Sequence, residues 1–188
     1  MGMVRSFIAI PTPVEIAHDL RESIASLRDA DAEVRWEPVE KIHITLRFLG
    51  DVDEVLLPRL IKDCVDSCCN QKSFSLLYGG FGCFPNNRDP RIIWLGSENG
   101  DGLLEPLKKI IDETVNRYGF VPENRPFRPH LTLGRVKGKR NIRNLIKMLQ
   151  SVTFEPRTVV IDELVFMKSE LRPTGSIYTK LQSIRLST

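Results

Sequence analysis

Apolar positions recur at every second residue in some stretches and at every third or fourth in others, and this change of period divides the chain into strands and helices. Residues 4–10 read as a strand. Pro11 and Pro13 close it and open a helix that Ile16, Leu20, Ile24 and Leu27 carry to about Arg28. A short strand over 34–36 precedes a longer one over 42–49, and Gly50-Asp51 predicts a turn into a helix over about 54–69. Strands over 73–78 and 91–95 bracket a glycine- and proline-rich stretch, 79–90, that reads as a loop. A helix over about 102–118, a proline-rich loop over 122–129, a strand over 129–136 and a helix over 141–150 follow. Two strands, 158–168 and 177–184, close the chain around a turn at Pro173-Thr174-Gly175. Several neighbouring strands are joined by short loops, which predicts antiparallel pairing and an α+β fold rather than a doubly wound parallel sheet.

One strand pattern occurs twice. His43-Ile44-Thr45-Leu46 and His130-Leu131-Thr132-Leu133 place two of the chain's three histidines in matching contexts. With a side-chain period of two, each histidine shares a face with its threonine, while the aliphatic residues point to the other face. The third histidine, His18, lies off the apolar stripe of its helix and reads as solvent-facing. Opening a cyclic phosphate needs one group to take a proton from water and another to protonate the departing sugar oxygen. Histidine serves both roles near neutrality because its ordinary pKa is about 6.5. A threonine hydroxyl two positions along can donate to a non-bridging phosphate oxygen, and β-branching stiffens it in a strand. Arg135 would add positive charge, provided that the strand bulges or ends near Gly134, since strict alternation turns it away from His130. Gly79-Gly80-Phe81-Gly82 lacks the lysine and hydroxyl ending of a phosphate-binding loop. Neither a His-Glu-x-x-His nor a Gly-x-Ser-x-Gly motif occurs.

The 188 residues, 41% hydrophobic and 27% charged, suffice for one substantial core or two small lobes sharing one. No apolar run reaches the roughly 18 residues of a membrane span, and the N-terminus reads without a secretory leader, so no membrane association and a cytoplasmic location are expected. Cys64 and Cys68 lie one helical turn apart and suit buried, reduced thiols; their spacing offers no metal site. Net charge is only +3, yet six of the thirteen residues from 135 to 147 are basic (Arg135, Lys137, Lys139, Arg140, Arg143, Lys147) and none is acidic. This run is either a solvated helix face or a track for a nucleic-acid backbone beside the second histidine.

Beyond the two His-x-Thr-x motifs, the stretches Arg5-Ser6-Phe7-Ile8-Ala9, Phe48-Leu49-Gly50, Phe81-Gly82-Cys83-Phe84-Pro85 and Arg128-Pro129-His130 resemble the RNA 2′,3′-cyclic phosphodiesterase (2′-5′ RNA ligase) family of two-histidine phosphoesterases. Lys168-Ser169-Glu170-Leu171 and Gly175-Ser176-Ile177-Tyr178 do so as well. The resemblance implies a single bilobal domain over 1–188. It would have two antiparallel-rich sheets related by a pseudo-twofold axis, a central cleft and helices outside. It also implies metal- and cofactor-free hydrolysis of 2′,3′-cyclic phosphate ends to 2′-phosphomonoesters, with His43 as proton donor and His130 as proton acceptor. Sequence chemistry by itself leaves those two roles interchangeable. Thr45 and Thr132 complete the catalytic set, and Arg135 and Phe48 are candidate substrate-binding residues. The partners expected are RNA ends, tRNA fragments among them, or cyclic nucleotides, bound by a monomer. Joining of RNA ends through a 2′-5′ linkage at the same site and a non-catalytic RNA-end binding module are the competing readings.

Overall fold

Four amphipathic helices cover the aliphatic face of a curled antiparallel sheet, and the opposite face forms a cleft. The computed structural model describes residues 2–123, 125–173 and 175–188. The first half of the chain runs β1 (Met3–Pro11), α1 (Val14–Arg28), β2 (Val34–Trp36), β3 (His43–Asp53), α2 (Leu57–Cys68) and β4 (Phe74–Phe84). The second runs β5 (Ile92–Ser97), α3 (Gly100–Asn116), β6 (His130–Val136), α4 (Ile142–Ser151), β7 (Arg157–Ile161), β8 (Glu163–Arg172) and β9 (Gly175–Arg185). No helix among the described residues is long and apolar enough to cross a membrane.

Strand order is β7-β4-β5-β6-β3-β1-β8-β9, with β2 beside the far end of β6. Four strands lie on each side of a join between β3 and β6, where the one registered pair is Ile44 with Leu131. The chain order β1-α1-β3-α2-β4 is repeated as β5-α3-β6-α4-β8. The last strand of each repeat crosses over: β4 pairs with β5, and β8 pairs with β1. Each half of the sheet therefore contains a strand from the other repeat, so neither repeat completes its half alone.

The helices bury Ile16, Leu20, Leu60, Cys64, Leu104, Ile111 and Leu145 against Ile8, Ile44, Leu46, Ile93, Leu95, Leu131 and Leu133 in one continuous cluster. Burial pushes the Cys64 thiol up to about 12 and Cys68 up to about 11, so both stay protonated and inert. A smaller cluster of Phe7, Ala9 and Val165, with Met167 and Tyr178, lies on the cleft side.

Three boundaries differ from the sequence expectation. β3 continues through Gly50, whose φ of +67° accommodates a bulge opposite Ser6 and Phe7, so the left-handed glycine marks an extra strand residue rather than a chain reversal. The glycine-rich stretch expected as a loop belongs to β4: Gly80 (φ +72°) sits in the bulge between Tyr78 and Phe81, and Gly82 lies flat under the Trp94 indole. The stretch 158–168 is two strands, broken at Asp162, that serve opposite ends of the sheet: β7 pairs with β4 and β8 with β1. At the closing turn Arg172 pairs with Gly175, while Thr174 lies outside the described residues.

A Cβ at position 82 would meet three atoms of the Trp94 ring, a rigid group that cannot yield by bending one torsion. Gly82→Ala is therefore expected to lower stability by about 1–3 kcal/mol. Gly102→Ala, whose Cβ meets open space, serves as control. Equal urea midpoints for the two variants would contradict the close packing of Trp94 on Gly82.

Candidate active site

Each motif strand carries a bulge at the same distance from its histidine. In β3, Ala9 pairs with Thr45 but Ile8 pairs with Arg47 and Phe7 with Phe48, so one residue is gained after Thr45. In β6, Trp94 pairs with Thr132 but Ile93 pairs with Gly134 and Ile92 with Arg135. An extra residue reverses which face the following side chains take. Consequently Phe48 and Arg135, at equivalent positions, return to the face that carries His43, Thr45, His130 and Thr132. Arg47 and Gly134 turn to the helix side. All six residues singled out in the sequence are thus on the cleft face. Gly134 has no room for a side chain: a Cβ there would lie 2.7 Å from Val34 Cγ1.

Antiparallel register about Ile44 and Leu131, extended one residue each way, sets His43 across from Thr132 and Thr45 across from His130. The two imidazoles are held alike. His43 Nδ1 lies 2.8 Å from the Lys41 carbonyl oxygen, and His130 Nδ1 lies 2.7 Å from that of Arg128. A carbonyl only accepts, so each Nδ1 carries its proton and donates it. Each Nε2 is left to act as acceptor when the ring is neutral, or as donor when it is charged. His43 stacks on Phe7 (centroids 4.7 Å) and meets the edge of Tyr178 at 5.3 Å, while His130 meets Phe84 edge-on at 4.9 Å. Phe84 in turn lies 5.1 Å from Trp94.

Burial among these rings pushes both histidines below their ordinary pKa, and the carbonyl hydrogen bonds partly offset the shift. The surroundings are not symmetric beyond that. The Glu37 carboxylate raises His43 and is not a cause acting on His130, whereas Arg135 lowers both rings and the charge of His130 lowers His43 further. Glu37 is held by its backbone N–H donating to the Leu133 carbonyl at 2.8 Å and by Arg135 Nε at 3.5 Å. The sequence reading missed Glu37, Tyr178, Phe84 and Trp94. Nothing local to Glu37 marks it, since it reaches the site only because β2 pairs with the end of β6. Tyr178 and Phe84 lay in stretches whose family resemblance could have exposed them.

Arg47 is 2% exposed. Its Nη2 donates to the Val121 carbonyl at 2.6 Å, and its Nη1 lies 3.3 Å from Asp112 and 3.8 Å from Glu123. Lys108 bonds the same two carboxylates at 2.9 Å each. This cluster fastens β3 and α3 to the segment that leads into β6. Among the described residues, no three His, Cys, Asp or Glu side chains gather as a metal site would require.

Two interlocked repeats thus each present one His-x-Thr strand to a shared cleft. The LigT-like phosphoesterase family matches the chain twice, over residues 10–94 and 95–178, and the chain belongs to that family. It is 38% identical to the RNA 2′,3′-cyclic phosphodiesterase of Methanothermobacter thermautotrophicus, covering 97% of this chain and 99% of the relative. The protein of the same name from Thermotoga maritima is 34% identical over 95% and 93%. A crystallised protein of Thermus thermophilus matches with a TM-score of 0.80 at 25% identity over 96% of this chain and 97% of that one. Escherichia coli LigT complexed with 3′-AMP matches at 0.75 and 26% identity over 99% of both.

The depressed histidines have a consequence for stability. Unfolded, each titrates near about pH 6.5; folded, each titrates lower. Below that pH the unfolded chain holds more protons, so the histidine contribution is whole above it and is lost as pH falls through the folded values. The urea midpoint is expected to drop between about pH 7.5 and about pH 5.5. The drop should be smaller in His43→Gln and in His130→Gln. A drop of unchanged size in both variants would contradict burial as the cause.

Proposed function

We propose that this protein hydrolyses the 2′,3′-cyclic phosphate ends of RNA to 2′-phosphomonoesters through an acid–base pair of histidines, without a metal. Water attacks phosphorus in line with the bond to the 3′ oxygen. His130 Nε2 takes the water proton, the P–O3′ bond breaks, and His43 Nε2 gives its proton to the departing O3′. The products are a 2′-phosphate and a free 3′ hydroxyl, and exchange with solvent resets both rings. Thr45 and Thr132 donate to the non-bridging oxygens, where charge builds up, and Arg135 balances it. Phe48, 57% exposed beside Phe7, offers an aromatic face to a base.

The observation that carries this reading is the matched pair of imidazoles, each with Nδ1 committed to the carbonyl two residues back. The names of the relatives agree with the cyclic phosphodiester as substrate. Glu37 supports the division of roles: its carboxylate acts on His43 and not on His130, which favours on His43 the charged form that a proton donor needs, while Arg135 acts on both rings alike. The lack of a three-ligand cluster among the described residues supports the metal-free reading.

An oligonucleotide ending in a 2′,3′-cyclic phosphate, incubated in excess EDTA, is expected to yield a 2′-phosphate end. His43→Ala and His130→Ala should each lower kcat by about 100-fold or more. Near-normal turnover in either variant would overturn the pairing, and activity that vanishes with chelator and returns with a divalent ion would overturn the metal-free chemistry.

A further inference from the structure

The basic run after β6 does not spread evenly over a helix surface. Arg135 faces Glu37 in the cleft, and Arg140 lies 3.4 Å from Asp31. Lys139, Arg143 and Lys147 instead converge, with Arg88 from the segment between β4 and β5, on one open groove of about 720 Å³. Among the described residues, none of these four cations has a carboxylate within 4.0 Å. Asp89, the acid that lines the groove with them, is turned to Arg91 at 3.4 Å.

The start of α4, which forms one wall, adds to the positive field. Its first turn holds no acidic residue, and no side chain caps it. Asn141, the residue in the capping position, has φ +53° and gives its side-chain amide to Asp31 instead. The first turn of α4, with its unpaired N–H groups and the positive end of the helix dipole, therefore lines the same groove as Arg143 and Lys139. Four free cations around one groove beside an uncapped helix start repel one another, and a bound polyanion removes that cost.

The groove lies past the rim of the cleft, walled by α4 from the helix side, and β6 links the two. β6 carries His130, Thr132 and Arg135 along one face, a distance of roughly 15 Å from the first to the last at strand spacing, and then enters the groove wall at Gly138 and Lys139. The opposite wall begins just beyond Phe84, whose ring touches His130. We propose that this groove is the track for the single-stranded RNA that leads away from the reacting end, with Arg88, Lys139, Arg143 and Lys147 neutralising its phosphodiesters. This rests on the reading of the cleft as a site for RNA cyclic phosphate. Several unpaired cations that follow in the chain a few residues beyond a phosphate site fit a repeating anion, and that favours RNA over a single small anion or an acidic protein.

The test compares wild type with the triple variant Lys139→Glu, Arg143→Glu, Lys147→Glu on two substrates, a 2′,3′-cyclic mononucleotide and an oligoribonucleotide of about ten residues with the same end. For the oligonucleotide, kcat/KM is expected to fall tenfold or more and its logarithmic salt slope to flatten by about two, three lost phosphate contacts at about 0.7 each. Mononucleotide turnover should stay within twofold, which also reports that the variant is folded. Equal losses on both substrates, or no loss on the oligonucleotide, would overturn the track. If wild type hydrolyses neither substrate, the reading of the cleft fails, and fluorescence anisotropy of the labelled oligonucleotide still decides the groove. Salt-sensitive binding that the triple variant loses supports it, and equal binding sinks it. Displacement of the RNA by a polyglutamate of equal charge at equal concentration would assign the groove to acidic proteins instead.

Discussion

Ile44 and Leu131 are fully buried side chains on two strands from different repeats, and their pairing is where the two halves of the sheet meet. Burying two aliphatic side chains there contributes a few kcal/mol, at about 1.5–3 each, and also fixes register. Because side chains alternate, the same pairing that hides Ile44 and Leu131 from water presents His43, Thr45, His130 and Thr132 together on the opposite face. A slip of one residue in either strand would put its histidine into the helix-covered core and its aliphatic residue into the cleft. The hydrophobic effect thus holds the reacting groups in place without touching them.

The bulge in each motif strand extends this logic. One added residue turns Arg47 inward and Phe48 outward, and the other turns Gly134 inward and Arg135 outward. The inward residues differ because their surroundings differ. Gly134 lies against Val34 and Trp36, where nothing larger fits, while Arg47 enters a partly buried cluster with Lys108, Asp112 and Glu123. Removing one member of such a cluster leaves the others short of a partner, a loss of about 3 kcal/mol where burial is deep. Its arrangement ties the strand of the first histidine to the approach of the second, so the two halves of the site keep a common geometry.

The sequence made the paired histidines legible because a period of two, broken by neither Gly nor Pro within the motif, leaves little choice of face. Short connections made the antiparallel α+β class legible for a similar reason. Bulges were harder. Gly134 hinted at one, and with it the place of Arg135, but strict alternation from His43 puts Arg47 in the cleft and Phe48 in the core, the reverse of what folding produces. The glycines from 79 to 82 looked like loop because glycine usually marks turns; here Gly82 is small so that Trp94 can lie across it. Glu37 reaches its place through the pairing of β2 with β6, which joins segments about a hundred residues apart, and Arg88 through the segment between β4 and β5, and no local pattern announces either.

The central claim is that two equivalently tethered histidines divide the work of acid and base. Turnover of a 2′,3′-cyclic mononucleotide as a function of pH, in wild type and in each histidine variant, measures this most directly. The account predicts a bell whose limbs belong to the coupled pair, lying at or below the ordinary histidine range because burial depresses both. Residual activity of His130→Ala should lose the acid limb, and that of His43→Ala the alkaline limb. A profile that is flat in wild type, or that keeps both limbs in either variant, would contradict it.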